Sequence, residues 1–84
     1  MTQVEKRIAD FIRADSTFPY RELEKILRSL GYNEMKRSKT GGSKRKFFNA
    51  NANHYLRFHE PHDGRMTRNM IKRLKQNLHD AGVL

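Results

Sequence analysis

Three of the four histidines fall within nine positions, at His54, His59 and His62. Histidine is the side chain best suited to proton exchange near neutral pH. Two such groups can cut RNA without a metal: a base takes the 2′-hydroxyl proton, and an acid protonates the leaving 5′ oxygen. His59 is the best single candidate, because its place in a strand puts it on the side that carries basic residues. His62 is the second. As a zinc site the cluster is poor, since the chain has no cysteine and the nearby carboxylates Glu60 and Asp63 sit in a loop. His79 falls in the last turn of a helix, where a cation suits the dipole, and reads as structural.

Cations surround these histidines. Residues 1–35 carry six basic and six acidic side chains, whereas residues 36–84 carry twelve basic against Glu60, Asp63 and Asp80, which accounts for the whole net charge of +9. A one-sided field of this kind attracts polyanions, and phosphate backbones are the usual target. The run Lys36-Arg37-Ser38-Lys39-Thr40-Gly41-Gly42-Ser43-Lys44-Arg45-Lys46 has six basic residues and no acid. Its glycines let backbone N–H groups approach phosphate closely. It is not a P-loop: the spacing is wrong and no helix follows. A plain basic hairpin turn is the other reading of the run, and a solubilising excess the other reading of the net charge.

The elements that position these residues follow from periodicity. Val4, Ile8, Phe11 and Ile12 share one helical face, so Gln3 to Ala14 reads as an amphipathic helix. Asp15 to Pro19 interrupts it. Leu23, Ile26, Leu27 and Leu30 give a second helix that Gly31 ends. Tyr32 to Arg37 is a short candidate strand, Ser38 to Ser43 a Gly-rich turn, and Lys44 to Asn49 a second strand. After the turn Asn49 to Asn53, His54 to His59 is a third strand. Glu60 to Arg65 is a loop. Thr67 then caps a last helix in which Met70, Ile71, Leu74 and Leu78 share a face, stopped by Gly82.

This order predicts an α+β fold with a three-stranded antiparallel sheet and helices on one face, leaving the other face for a ligand. The 84 residues have room for a single domain. Strand alternation puts Lys44, Lys46 and Phe48 on one side, with Arg45 and Phe47 on the other. Leu56 and Phe58 read as core, so Tyr55, Arg57 and His59 point outward beside them. Cations and rings together suit RNA: the cations pair with phosphates and the rings stack on unpaired bases. For Phe48 and Tyr55 the alternative is a cross-strand pair that stabilises the hairpin. Without cysteine there are no disulfides and no thiol nucleophile. The first fourteen residues have neither the apolar run of a signal peptide nor that of a membrane span, so a cytoplasmic protein with no membrane contact is expected.

The stretch from Tyr20 onward resembles the HicA toxins of bacterial toxin–antitoxin systems. The resemblance rests on the helix Tyr20-Arg21-Glu22-Leu23-Glu24-Lys25-Ile26-Leu27-Arg28-Ser29-Leu30-Gly31-Tyr32 and on Gly42-Ser43 opening a strand. It continues through Arg57-Phe58-His59-Glu60-Pro61-His62 to a closing amphipathic helix that ends Asp80-Ala81-Gly82-Val83-Leu84. It implies a fold like the double-stranded RNA-binding domain over residues 18–84, with residues 1–17 as a helical extension. It further implies an mRNA endonuclease neutralised by a HicB-type antitoxin; with the histidines as acid and base the cleavage is expected to be metal-independent, and no cofactor is expected. The family's commonest pattern is Gly-Ser-His with a catalytic histidine, and here it reads Gly42-Ser43-Lys44. An ammonium cannot take over as general base, but it can bind phosphate or stabilise transition-state charge. Acid–base work then falls to His59 or His62.

The expected site therefore has His59, His62 and Lys44 as catalytic candidates. Lys36, Arg37, Lys39, Ser43, Lys44, Lys46, Phe48, Tyr55 and Arg57 are expected to hold mRNA or other single-stranded RNA. A non-catalytic RNA-binding module on the same fold is the alternative, and a protein that docks an acidic partner is the third reading. A helix-turn-helix reader of DNA ranks lower, because a sheet separates the second helix from the last.

Overall fold

A computed structural model describes residues 2–36 and 44–84. Helix α1 (Gln3–Arg13) starts behind Thr2, whose hydroxyl accepts a hydrogen bond from the Glu5 N–H at 3.1 Å. Of the four apolar residues expected on its inner face, Phe11 is fully buried and Ile8 partly so. Val4 and Ile12 instead stand 41% and 53% exposed. The helix therefore meets the core along a narrower stripe than its sequence pattern suggests. That contact is nevertheless firm. Phe11 packs edge-on to Phe18 with ring centroids 5.3 Å apart, and the Lys75 ammonium donates to the Ile12 and Ala14 carbonyls at 2.7 and 2.5 Å. Those carbonyls lie at the end of α1, where the helix leaves backbone acceptors without internal partners.

Two short strands, β1 (Thr17–Pro19) and β5 (Arg65–Thr67), pair antiparallel with Phe18 opposite Met66. The sequence reading had residues 15–19 as an interruption between helices, a loop ending at Arg65 and Thr67 as a helix cap. Phe18 and Met66 are both buried, so the small ladder closes one end of the core. Helix α2 (Tyr20–Ser29) lies between β1 and the main sheet and buries Tyr20, Leu23, Ile26 and Leu27. Leu30 caps it, and Gly31 at φ +102° turns the chain into β2 (Tyr32–Glu34). A side chain at Gly31 would be strained at this φ, and its Cβ would meet Asn49 at 3.3 Å. Of the strand expected over 32–37, Tyr32–Glu34 form it and residues 35 and 36 do not, while residue 37 lies outside the described residues.

The main sheet has the order β2-β3-β4 and is antiparallel throughout, with β3 (Lys44–Asn49) and β4 (His54–His59) at the bounds expected from sequence. Asn53 (φ +50°) takes the left-handed conformation in the turn between them. On the inner face, Tyr32, Phe47 and Leu56 join the buried residues of all three helices in one core, with Phe58 packed against it. Asn49 is the buried polar residue of this face. Its amide donates to the Leu30 carbonyl at 3.0 Å and accepts from the Ala52 N–H at 3.1 Å, tying the end of α2 to the β3–β4 turn. Helix α3 (Arg68–Asp80), capped by Thr67, completes the core with Ile71, Leu74 and Leu78. The fold is α+β, and none of the helices among the described residues is long and apolar enough to cross a membrane.

Candidate nucleic-acid interface

The β3–β4 register decides which side chains share the outer face. Lys44 is paired with His59, Lys46 with Arg57 and Phe48 with Tyr55. With strand side chains alternating, all six leave the sheet on the side away from Phe47 and Leu56. Asn33 on β2 stands opposite Phe48 and adds an amide to the same face.

Two of these three pairs bring like or potentially like charges together. Lys46 directly opposite Arg57 costs the hairpin stability, whereas an opposite-charge pair would add to it. Among the described residues, neither they nor Lys44 forms an ion pair with a carboxylate. Tyr55, 46% exposed, lies between the cations: the Lys46 ammonium is 4.9 Å and the Arg57 guanidinium 5.8 Å from its ring centroid. Its ring also packs on Phe48 with centroids 4.5 Å apart and planes inclined by 36°. The two rings therefore do form the cross-strand pair that stabilises a hairpin, while Tyr55 keeps much of its surface open.

The inner face explains why no acid offsets this charge. Arg45, between Lys44 and Lys46 but pointing the other way, holds Glu34 of β2 at 2.6 Å and Glu60, just beyond β4, through its second terminal nitrogen. Its side chain is 15% exposed. The hydrogen bond to Glu34, more than any other contact, raises the guanidinium's already high pKa, so it is a permanent cation. Glu60 is thereby drawn to Arg45. The Tyr20 ring lies 5.9 Å from the same guanidinium, and burial raises the pKa of its phenol, which stays protonated. The Tyr20 hydroxyl and the Arg45 Nε are both buried without a hydrogen-bond partner among the described residues.

The histidines separate. His59 ends β4 on the outer face and is exposed. His54 alternates to the inner side, where its Nδ1 is 2.8 Å from the Tyr32 hydroxyl and its ring lies edge-on to the tyrosine. It belongs to the fold, which removes it from the cluster. His62 is exposed in the loop after Glu60. His79 is exposed in the last turn of α3. Lys36 is exposed two residues beyond β2, and Arg37, Lys39 and Ser43 lie outside the described residues. Among the described residues no group of three or more His, Asp or Glu side chains is arranged to hold a metal ion.

The chain matches no family model, no curated protein and no solved structure. Cations at Lys44, Lys46 and Arg57, an open aromatic ring and an imidazole at the rim can bind a phosphate backbone, stack a base and move a proton. The sequence reading missed the Arg45 brace. The alternation placed Arg45 on the inner face, but nothing local marked Glu34 and Glu60 as its partners.

Proposed function

We propose that the outer face of the main sheet binds single-stranded RNA, mRNA foremost, and cleaves it without a metal, as a HicA-like toxin held in check by a HicB-type antitoxin. The observation that carries this reading is the opposition of Lys46 and Arg57 across β3 and β4. Folding alone disfavours it, and a polyanion laid across the hairpin would relieve it. The order α2-β2-β3-β4-β5-α3, in which β2, β3 and β4 form the main sheet and β5 pairs with β1 instead, supports a likeness to the double-stranded RNA-binding domain in its helix, three-stranded sheet and closing helix.

In the proposed reaction His59 takes the proton of a 2′-hydroxyl. The 2′ oxygen then attacks the adjacent phosphorus and the bond to the 5′ oxygen breaks. His62 gives the departing oxygen a proton, which leaves a 2′,3′-cyclic phosphate on one product and a 5′-hydroxyl on the other. Lys44, opposite His59, supplies positive charge to the phosphoryl oxygens as negative charge builds on them.

A non-catalytic RNA-binding module is the second reading, favoured by Lys44 standing where the resembled pattern carries histidine. Binding itself is tested by titrating a labelled single-stranded RNA at several salt concentrations. The expected affinity falls steeply with salt and drops on Lys46→Gln/Arg57→Gln. Weak, poorly saturable binding that these changes leave intact would count against the RNA reading and favour an acidic protein as partner.

A further inference from the structure

A groove of about 520 Å³ lies apart from the outer face, where α3 passes the junction of α1 and β1. Ala14 and Ile71 contribute its apolar surface, and Arg68, Lys72, Lys75 and His79 line it from α3. None of its lining residues comes from β2, β3 or β4. Lys75 is fixed there by its hydrogen bonds to the Ile12 and Ala14 carbonyls. Asp15 is the one carboxylate in the lining, so the formal charges of Arg68, Lys72 and Lys75 against one anion leave two positive charges, His79 apart.

This arrangement differs from that of the other helices. In α1 and α2 the cations are interleaved with acids: Arg13 pairs with Asp10, Lys25 with Glu22, and Arg7 also reaches Glu22. Helix α3 has no acid in its first turn and opens on Arg68, a placement that the helix dipole disfavours. Its acid, Asp80, accepts from Gln76. Among the described residues Arg68 and Lys72 form no ion pair. Arg68 to His79 spans three helical turns, about 16 Å along the axis, long enough to meet more than one phosphate of a strand. A cation that the helix dipole disfavours, Arg68, gathered with Lys72 along one groove, marks a ligand surface.

We propose that this groove is a second phosphate-binding site, which takes the phosphodiester backbone of RNA through Arg68 and Lys72 while the sheet face engages another part of the same strand. The proposal rests on the RNA reading for the source of the phosphate. The groove adds affinity and salt dependence and has no part in the cleavage chemistry.

The test compares Arg68→Gln/Lys72→Gln with Arg73→Gln, an exposed cation of the same helix that does not line the groove. RNA affinity is measured over a range of salt, and inorganic phosphate is titrated separately while the α3 amide signals are followed by NMR. Loss of two single-strand phosphate contacts is expected to reduce the slope of log K against log salt by about 1.4. Arg73→Gln should change it far less. An unchanged slope in the double variant, or an equal change in Arg73→Gln, overturns the proposal. If the intact chain binds no RNA, the functional reading fails by itself. Saturable phosphate binding at α3 that the double variant loses would then uphold a site for free phosphate, and its absence would overturn the groove as well.

Discussion

Lys44 and His59 face each other directly across β3 and β4, at the end of the outer face where the hairpin opens. The register makes them neighbours although fifteen positions separate them in sequence. An ammonium beside an imidazole supplies charge to a phosphoryl group without competing for its proton. Lys44→Gln is therefore expected to slow RNA cleavage by roughly 100-fold, while Lys44→Arg retains most of the rate. Single-turnover cleavage separates the two, and equal rates for wild type and Lys44→Gln would remove Lys44 from the chemistry.

Lys46 and Arg57 give a prediction with two opposed signs. Replacing Arg57 by threonine, a good strand former, removes the like-charge pair and should stabilise the hairpin by about 0.5 kcal/mol. The same change should weaken RNA binding. Urea unfolding and an RNA titration on one preparation read both. A variant that loses stability and affinity together would mean that Arg57 is a structural residue.

Arg45 holds two carboxylates, and both are left behind when it goes. Arg45→Ala is expected to cost about 3 kcal/mol in urea unfolding, because Glu34 and Glu60 then face each other beneath the sheet without their cation. Adding Glu34→Gln to that variant should recover part of the loss. No recovery would show that the pair acts through packing rather than charge.

Phe11 tests whether residues 1–17 are an appendage. Its full burial and its contact with Phe18 predict a loss of about 3 kcal/mol for Phe11→Ala, whereas Ile12→Ala, at an exposed position, should change stability by less than about 0.5 kcal/mol. Thermal melts of the two variants decide. Equal, small effects would return α1 to the status of an extension.

What the sequence shows of this fold depends on the distance between partners. Strands β3 and β4 were legible to the residue, since six-residue alternation joined by an Asn-rich turn is a local signal. The stop of α2 at Gly31 was equally local. Strands β1 and β5 were not: each has three residues, and Thr17 meets Thr67 fifty positions away. Val4 and Ile12 followed helical period, yet no element among the described residues buries them. Asn49 looked like a turn residue, and its bond from Ala52 is a local turn contact, whereas its bond to the Leu30 carbonyl, nineteen positions away, is assembled only by the fold. The candidate site divided in the same way. Alternation put Lys44, Lys46, Phe48, Tyr55, Arg57 and His59 on one face, while the recruitment of His54 by Tyr32 and of Glu60 by Arg45 needed tertiary contacts.

The most direct measurement is incubation of the chain with a long, mostly single-stranded RNA in EDTA, beside His59→Ala, with the ends of the products identified. The account predicts cleavage to 2′,3′-cyclic phosphate ends, slowed by about 100-fold or more in His59→Ala with RNA affinity retained. Tight binding without cleavage, in EDTA and again with magnesium, would contradict it and leave an RNA-binding module. Undiminished cleavage by His59→Ala would take the proton transfer away from β4.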